Sequence, residues 1–106
     1  MPKYLISANY TATGLEGVRS AGAKSRVDSV AAMLEAMGGR LESFYFAFGD
    51  TDVFAVAEVP DDEAAAAVAM AINSSGAVSI RTTKLLTPEQ VDEALQRSVA
   101  YQPPGT

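Results

Sequence analysis

Asp50 and Asp52 flank Thr51 in a predicted tight turn, and their carboxylates could do chemistry. Carboxylate oxygens are the ligands that hard cations such as Mg²⁺ and Ca²⁺ prefer. One carboxylate could instead be a general base with a raised pKa in an apolar pocket, with Tyr10 or Tyr45 as its hydrogen-bond partner. The alternative is structural, because aspartate stabilises tight turns by accepting hydrogen bonds from nearby backbone N–H groups. Two carboxylates are too few for a calcium site built from protein alone, so we favour the turn over the cation.

Arg26 is a second candidate, since a guanidinium can hold a ligand's carboxylate through two parallel hydrogen bonds. It stands one position before the apolar stripe of a predicted helix, where an arginine more often lies along the helix with its charged end in water.

The predicted order of strands and helices brings further polar side chains to one end of the sheet, so a site could form there without a local motif. The candidate ligand-binding residues are Tyr10, Arg19, Arg26, Tyr45, Asp50, Asp52 and Asn73.

The absent residue types exclude several kinds of chemistry. The chain has no Cys and no His, which excludes disulfides, zinc–thiolate and iron–sulfur sites, thiol nucleophiles and a Ser-His-Asp triad. We therefore expect no metal site and no cofactor. The 8 basic and 13 acidic side chains give a net charge of −5, which argues against nucleic-acid binding. Gly14 and Gly17 lack the spacing of a nucleotide-binding fingerprint.

Hydrophobic periodicity and turn residues predict the order β-α-β-β-α-β-α, although Gly17 and Gly22 weaken any helical turns before Ala23. The link from Gly49 to Thr51 is so short that the second and third strands must form an antiparallel hairpin. Right-handed crossovers then place both main helices on one face of a four-stranded antiparallel sheet, with the strands in spatial order 4-1-3-2. This is an α+β, ferredoxin-like βαββαβ fold with an added C-terminal helix. The predicted strands are Lys3–Tyr10, Arg40–Phe48, Asp52–Val59 and Ala77–Leu86. The predicted helices are Ala23–Met37, a helix that Pro60 to Glu63 open and whose body is Ala64–Ile72, and a last helix from Thr87 to about Val99.

Both faces of the predicted hairpin are apolar, whereas an antiparallel sheet with helices on one side normally has a polar second face. Alternation in the second strand predicts that three phenylalanines share the face left open by the helices, and a fourth follows on the third strand. We therefore predict that this face is a homodimer or higher homo-oligomer interface. The candidate interface residues are Phe44, Phe46, Phe48 and Phe54. The alternative is that the last helix, with Val91, Leu95 and Val99, or the C-terminal tail covers this face.

Several stretches of the sequence resemble the GYD domain family of bacterial proteins. They are Tyr10-Thr11 with Gly14, Gly38-Gly39, Phe44-Tyr45-Phe46, Gly49 to Val53, Asn73 to Val78, Leu86 to Glu89 and Tyr101 to Gly105. The resemblance covers nearly the whole chain and implies a single domain over residues 1–106, similar to the dimeric α+β barrel proteins. It implies no particular reaction. The family is named for a Gly-x-Tyr-Asp segment, in which Gly49 and Asp52 match but Thr51 replaces the tyrosine, so no catalytic role can rest on position 51.

Two classes of function stay open. The first is a small-molecule-binding or non-catalytic homo-oligomer, which the lack of histidine favours because acid–base work would fall to Asp, Tyr or Arg. The second is a cofactor-free enzyme of the dimeric α+β barrel type, acting on a small aromatic or polyketide-like molecule.

The longest apolar run, Ala64 to Ile72, is far shorter than the roughly 20 residues that cross a membrane. With a strand pattern starting at Lys3 and no signal segment, we expect a soluble, cytoplasmic protein without membrane partners.

Overall fold

The computed structural model describes residues 1–106, which form four strands and four helices in the order β-α-α-β-β-α-β-α. The strands are β1 (Lys3–Tyr10), β2 (Arg40–Phe46), β3 (Val53–Glu58) and β4 (Val78–Leu85). The helices are α1 (Ala12–Ala21), α2 (Ala23–Ala36), α3 (Asp62–Ser74) and α4 (Pro88–Leu95). All four predicted strands are present and their ends lie close to the predicted ones, but α1 is an additional helix.

The four strands form one sheet in the order β2-β3-β1-β4, and every neighbouring pair is antiparallel. This is the predicted spatial order. In the register of the sheet, Ala8 of β1 lies between Val53 of β3 and Ile80 of β4, while Tyr10 pairs with Val78. The order of elements and the sheet confirm the α+β, ferredoxin-like fold.

The hydrophobic core lies between one face of the sheet and the helices α2 and α3. Leu34 of α2 is 1% exposed and lies in one cluster with Tyr4 of β1 and Ala57 of β3. Ala64 and Ala65 of α3 pack against the same cluster, so both helices cover the same face, as predicted. The short alanine side chains let α3 approach the sheet closely. None of the four helices has the length and hydropathy needed to cross a membrane.

Helix α1 begins where the sequence predicts only a break after β1. The side chain of Thr11 caps the helix by accepting a hydrogen bond from the backbone N–H of Gly14 at 3.2 Å. Gly22, with φ of 96°, then separates α1 from α2. The glycines of this segment lower its helix propensity, so the sequence does not predict α1. The helix is stabilised instead by its cap and by its contact with the loop at Ala77.

A β-bulge between Leu41 and Ser43 reverses the alternation of β2. Beyond the bulge, Phe44 and Phe46 pair with residues of β3 that are buried on the helix side, and Phe44 packs against the core. Phe48 lies beyond the end of β2 and is fully exposed. The prediction that these three phenylalanines share the open face is therefore wrong. The bulge adds one residue to β2, so the side chains after it point to the face opposite to the one that strict alternation predicts.

The open face of the sheet is nonetheless partly apolar. Tyr45 pairs with Phe54 across β2 and β3 on this face. Leu5 of β1 pairs with Val56 of β3 on the same face. Tyr45 is 71% exposed and Phe54 is 42% exposed. Of the four predicted interface phenylalanines, Phe54 alone lies on the open face of a strand.

The segment from Leu86 to Thr106, which contains α4, extends away from the rest of the molecule. The predicted capping box at its start is present, with Thr87 and Gln90 each bonding the other's backbone N–H group. The helix ends at Leu95, earlier than predicted, and every residue of the segment is exposed. The alternative that this helix or the C-terminal tail covers the open face of its own sheet is therefore wrong.

Candidate functional site

A surface cavity of about 280 Å³ lies where α1 and α2 meet the ends of β1 and β4. Its wall contains the charged side chain of Arg26, the hydroxyl groups of four residues and several glycines and alanines. The lining residues are Tyr10, Thr13, Gly14, Gly17, Val18, Ala21, Gly22, Ser25, Arg26, Ser29, Ala77 and Val78. A deeper apolar space of about 40 Å³, between the sheet and the helices, shares Tyr10, Arg26 and Val78 with this cavity.

The cavity depends on how closely α1 approaches the loop that precedes β4. The backbone N–H of Thr11 donates to the carbonyl oxygen of Ala77 at 3.0 Å, and the Thr11 hydroxyl donates to the carbonyl oxygen of Gly76 at 2.9 Å. Gly14 permits this approach, since a Cβ there would lie 2.0 Å from the Ala77 oxygen. The break at Gly22 then lets residues of both α1 and α2 line one cavity.

Tyr10 and Arg26 are both half-buried at the boundary between the cavity and the apolar space. Burial raises the pKa of the Tyr10 hydroxyl, and the nearby positive charge of Arg26 partly offsets that rise. Arg26 has no carboxylate of the chain within ion-pairing distance. The pair therefore presents a protonated phenol and an unneutralised guanidinium to the cavity.

Of the two aspartates in the predicted site, Asp52 alone bonds the backbone through its carboxylate, whereas Asp50 takes part through its own main-chain carbonyl. Oδ2 of Asp52 accepts a hydrogen bond from the backbone N–H of Tyr10 at 3.0 Å, and the Asp52 N–H donates to the carbonyl of Ala8 at 2.9 Å. The carbonyl oxygen of Asp50 accepts a hydrogen bond from Nδ2 of Asn9 at 2.8 Å. Tyr10, Asp50 and Asp52 thus lie at one end of the sheet, as predicted. Neither aspartate lines the cavity, and no three acidic groups cluster as metal ligands.

The other predicted site residues lie apart from the cavity. Asn73 joins α3 to β4, since its Oδ1 accepts a hydrogen bond from the backbone N–H of Ile80 at 2.7 Å. Arg19 points into solvent and pairs with Glu16 at 3.2 Å. Tyr45 lies on the open face of the sheet, opposite to the face of Tyr10. The seven predicted residues are therefore divided, with Tyr10 and Arg26 in the cavity and the remaining five outside its wall.

Sequence reasoning missed the hydroxyl groups of Thr13, Ser25 and Ser29 in the cavity wall. A signal was present, because Ser25 and Ser29 are four residues apart and so share a face of α2. The lining residues of α1 repeat with the same helical spacing, at Gly14, Gly17, Val18 and Ala21. Glycines lower helix propensity, so the sequence predicts a break where α1 forms one wall of the cavity.

Comparison with known proteins identifies the family of the chain. No curated protein and no solved structure gives a significant match. Thr51 lies outside the cavity, and its hydroxyl accepts a hydrogen bond from Nη2 of Arg81 at 3.2 Å. The family model described as the GYD domain matches residues 4–95, which includes all of β1 except Lys3, the other three strands, α1 to α4 and all of the cavity wall. The chain therefore belongs to the GYD domain family.

Proposed function

We propose that the chain binds a small organic carboxylate in the cavity between α1 and α2. The observation that carries this proposal is the half-buried Arg26 guanidinium, which no carboxylate of the chain neutralises. Removing a charge from water without a counterion is unfavourable. A ligand carboxylate would supply the counterion through two parallel hydrogen bonds.

The neutral polar groups of the wall support the same ligand class. Thr13, Ser25 and Ser29 offer hydroxyl donors to an anion, and no acidic side chain lines the cavity. Tyr10 adds a further donor, because burial raises the pKa of its hydroxyl and keeps it protonated at neutral pH. In a chain with a net charge of −5, this cavity is a local region of positive charge.

The size of the cavity limits the ligand to a small molecule. Ligand pockets commonly span roughly 300–1,000 Å³, so a cavity of about 280 Å³ fits one ring with its carboxylate. Val18 and Val78 provide apolar surface in the wall for the body of such a ligand. A monocyclic carboxylate such as benzoate is therefore a suitable probe.

The arrangement favours binding over the alternative of a cofactor-free enzyme. Acid–base catalysis needs a base within hydrogen-bond reach of the substrate. The aspartate nearest to Tyr10, Asp52, accepts a hydrogen bond from the backbone and does not line the cavity. The groups that do line it are donors, which hold an anion in place.

The proposal is tested by isothermal titration calorimetry with benzoate and with benzyl alcohol, a neutral molecule of similar shape. We expect benzoate to bind at least about 10-fold more tightly, since a hydrogen bond to a charged group contributes about 1.5–3 kcal/mol. We expect Arg26→Gln to abolish this preference. Arg19→Gln is the matched control, because it removes the same charge from an exposed, ion-paired position on the neighbouring helix. Equal binding of the two probes, or a preference that survives Arg26→Gln, would contradict the proposal.

A further inference from the structure

The apolar space between the sheet and the helices is a second compartment next to the cavity. Fourteen of the fifteen residues that line it are hydrophobic, and the remaining one is Arg26. On the sheet side it is lined by Ala8 of β1 and Ala55 of β3, which are buried and have short side chains. On the helix side it is lined by residues such as Val30 of α2 and Ile72 of α3. The two alanines leave room between the layers that the side chains of the helices do not fill.

The wall of this space favours an apolar group over water. A buried water molecule needs two to four polar partners. No buried side-chain nitrogen or oxygen of the chain lacks a hydrogen-bond partner, and the polar ends of Tyr10 and Arg26 lie at the boundary with the cavity. Apolar cavities of this kind stay dry and bind apolar molecules.

The volume of the space sets the size of the group that fits. A single water molecule needs about 10–15 Å³, so a space of about 40 Å³ holds about three units of that size. An alkyl chain of about three carbon atoms is an apolar group of this size. The space is therefore too small for a ring but large enough for a propyl group.

Tyr10 and Arg26 connect the two compartments, because both residues line the cavity as well as the apolar space. The hydroxyl of Tyr10 is close to the guanidinium of Arg26. A carboxylate bound to Arg26 therefore lies at the boundary between the compartments. The ligand atoms next to that carboxylate are then the ones from which a substituent can enter the apolar space.

We propose that the ligand carries a short alkyl group next to its carboxylate, and that this group occupies the apolar space while the ring of the ligand lies in the cavity. This inference rests on the proposed function, since the carboxylate at Arg26 fixes where the alkyl group begins. The ligand class is an aromatic carboxylate with an alkyl chain of about three carbon atoms in the ortho position. Such a ligand fills both compartments, whereas benzoate fills the cavity alone.

Isothermal titration calorimetry of the wild type with two isomers tests this proposal. The propyl group of ortho-propylbenzoate is next to the carboxylate, whereas that of para-propylbenzoate is at the far end of the ring. Burying one methylene group improves affinity about 4-fold. We expect the ortho isomer to bind at least about 10-fold more tightly than benzoate and than the para isomer. We expect no further gain from ortho-pentylbenzoate, because the space holds only about three carbon atoms.

A matched pair of variants locates the propyl group. Ala55 lines the apolar space and Ala57 does not, although both are buried on the same face of β3. We expect Ala55→Val, which fills the space, to remove the advantage of the ortho isomer and to leave the affinity for benzoate within about 2-fold. We expect Ala57→Val to retain that advantage. Circular dichroism checks the fold of both variants, and the comparison of the isomers on the wild type does not depend on them.

The outcomes separate this proposal from the proposed function. Equal binding of the two isomers, or tighter binding of the para isomer, overturns the alkyl group in the apolar space, while a benzoate preference that needs Arg26 leaves the proposed function intact. An advantage of the ortho isomer that survives Ala55→Val also overturns it, because the propyl group would then lie elsewhere. Binding of the ortho isomer that is unaffected by Arg26→Gln contradicts both proposals, and so does an absence of binding by all of these probes.

Discussion

Tyr4 and Tyr10 point to the same face of β1, but their hydroxyl groups have different roles. Tyr4 is buried, and its hydroxyl donates to the carboxylate of Asp62 at the start of α3. This bond fixes α3 to the sheet. Tyr10 lies in the wall of the cavity, and its hydroxyl is close to the guanidinium of Arg26. The sequence identified Tyr10 and Arg26 but gave no indication of the Tyr4–Asp62 bond, because the two residues are 58 positions apart.

The Tyr4–Asp62 bond predicts a pH-dependent loss of stability in Tyr4→Phe. The Tyr4 hydroxyl, followed by the Lys84 ammonium group, lowers the pKa of Asp62. A lowered pKa stabilises the fold at pH values above the unfolded pKa of about 3.9, and this contribution is lost as the pH falls through the folded pKa. We therefore expect Tyr4→Phe to lower the free energy of unfolding at pH 7 and to raise the pKa of Asp62.

Urea unfolding at neutral and acidic pH measures the first effect, and NMR titration of the Asp62 carboxyl group measures the second. The difference in stability between wild type and Tyr4→Phe should shrink below about pH 4. Tyr101→Phe is the control, because Tyr101 is 70% exposed in the C-terminal segment. A stability difference that is the same at every pH, together with an unchanged Asp62 pKa, would be inconsistent with this role.

Local sequence signals predict the start of α4 but not the bulge in β2 or helix α1. The capping box at Thr87 predicts the start of α4 correctly, since it satisfies backbone groups within one turn. The bulge in β2 has no comparable local signal, because it depends on how β2 pairs with β3. Helix α1 was missed because its stability comes from contact with the loop at Ala77, while its glycines lower helix propensity.

The two helical glycines of α1 predict opposite effects on stability. A Cβ at Gly14 would lie 2.0 Å from the Ala77 oxygen, whereas a Cβ at Gly17 meets nothing within 4 Å. We expect Gly17→Ala to stabilise the fold by up to about 1 kcal/mol through helix propensity. We expect Gly14→Ala to destabilise it by about 1–3 kcal/mol, because the helix must move away from the loop.

Urea unfolding of the two glycine variants, side by side, measures both effects. The pair is well matched, since each variant adds one methyl group to the same face of the same helix. If Gly14→Ala were as stable as Gly17→Ala, the close approach of α1 to the loop before β4 would not hold.

The molecule as a whole is more extended than its length predicts. The radius of gyration of the Cα atoms is 17.0 Å, whereas a compact domain of this size has about 13 Å. The difference comes from the exposed segment Leu86–Thr106, which extends the molecule to a longest dimension of 57 Å. The sequence predicted an apolar second face and self-association, and that association remains a prediction. It could not predict that the last helix extends away from its own sheet, because the direction of a helix depends on packing partners rather than on its own residues.

An NMR titration of the isotope-labelled chain with benzoate tests most directly whether Arg26 forms an anion-binding site. The chain has a second guanidinium without a carboxylate partner, Arg81 on the open face, which provides an internal comparison. We expect the largest shifts at the Arg26 side chain and at the backbone amides of Gly14, Gly22 and Ser25, which line the cavity. We expect benzyl alcohol to leave these signals in place. Shifts centred on Arg81, or no shifts at millimolar benzoate, would contradict the proposed function.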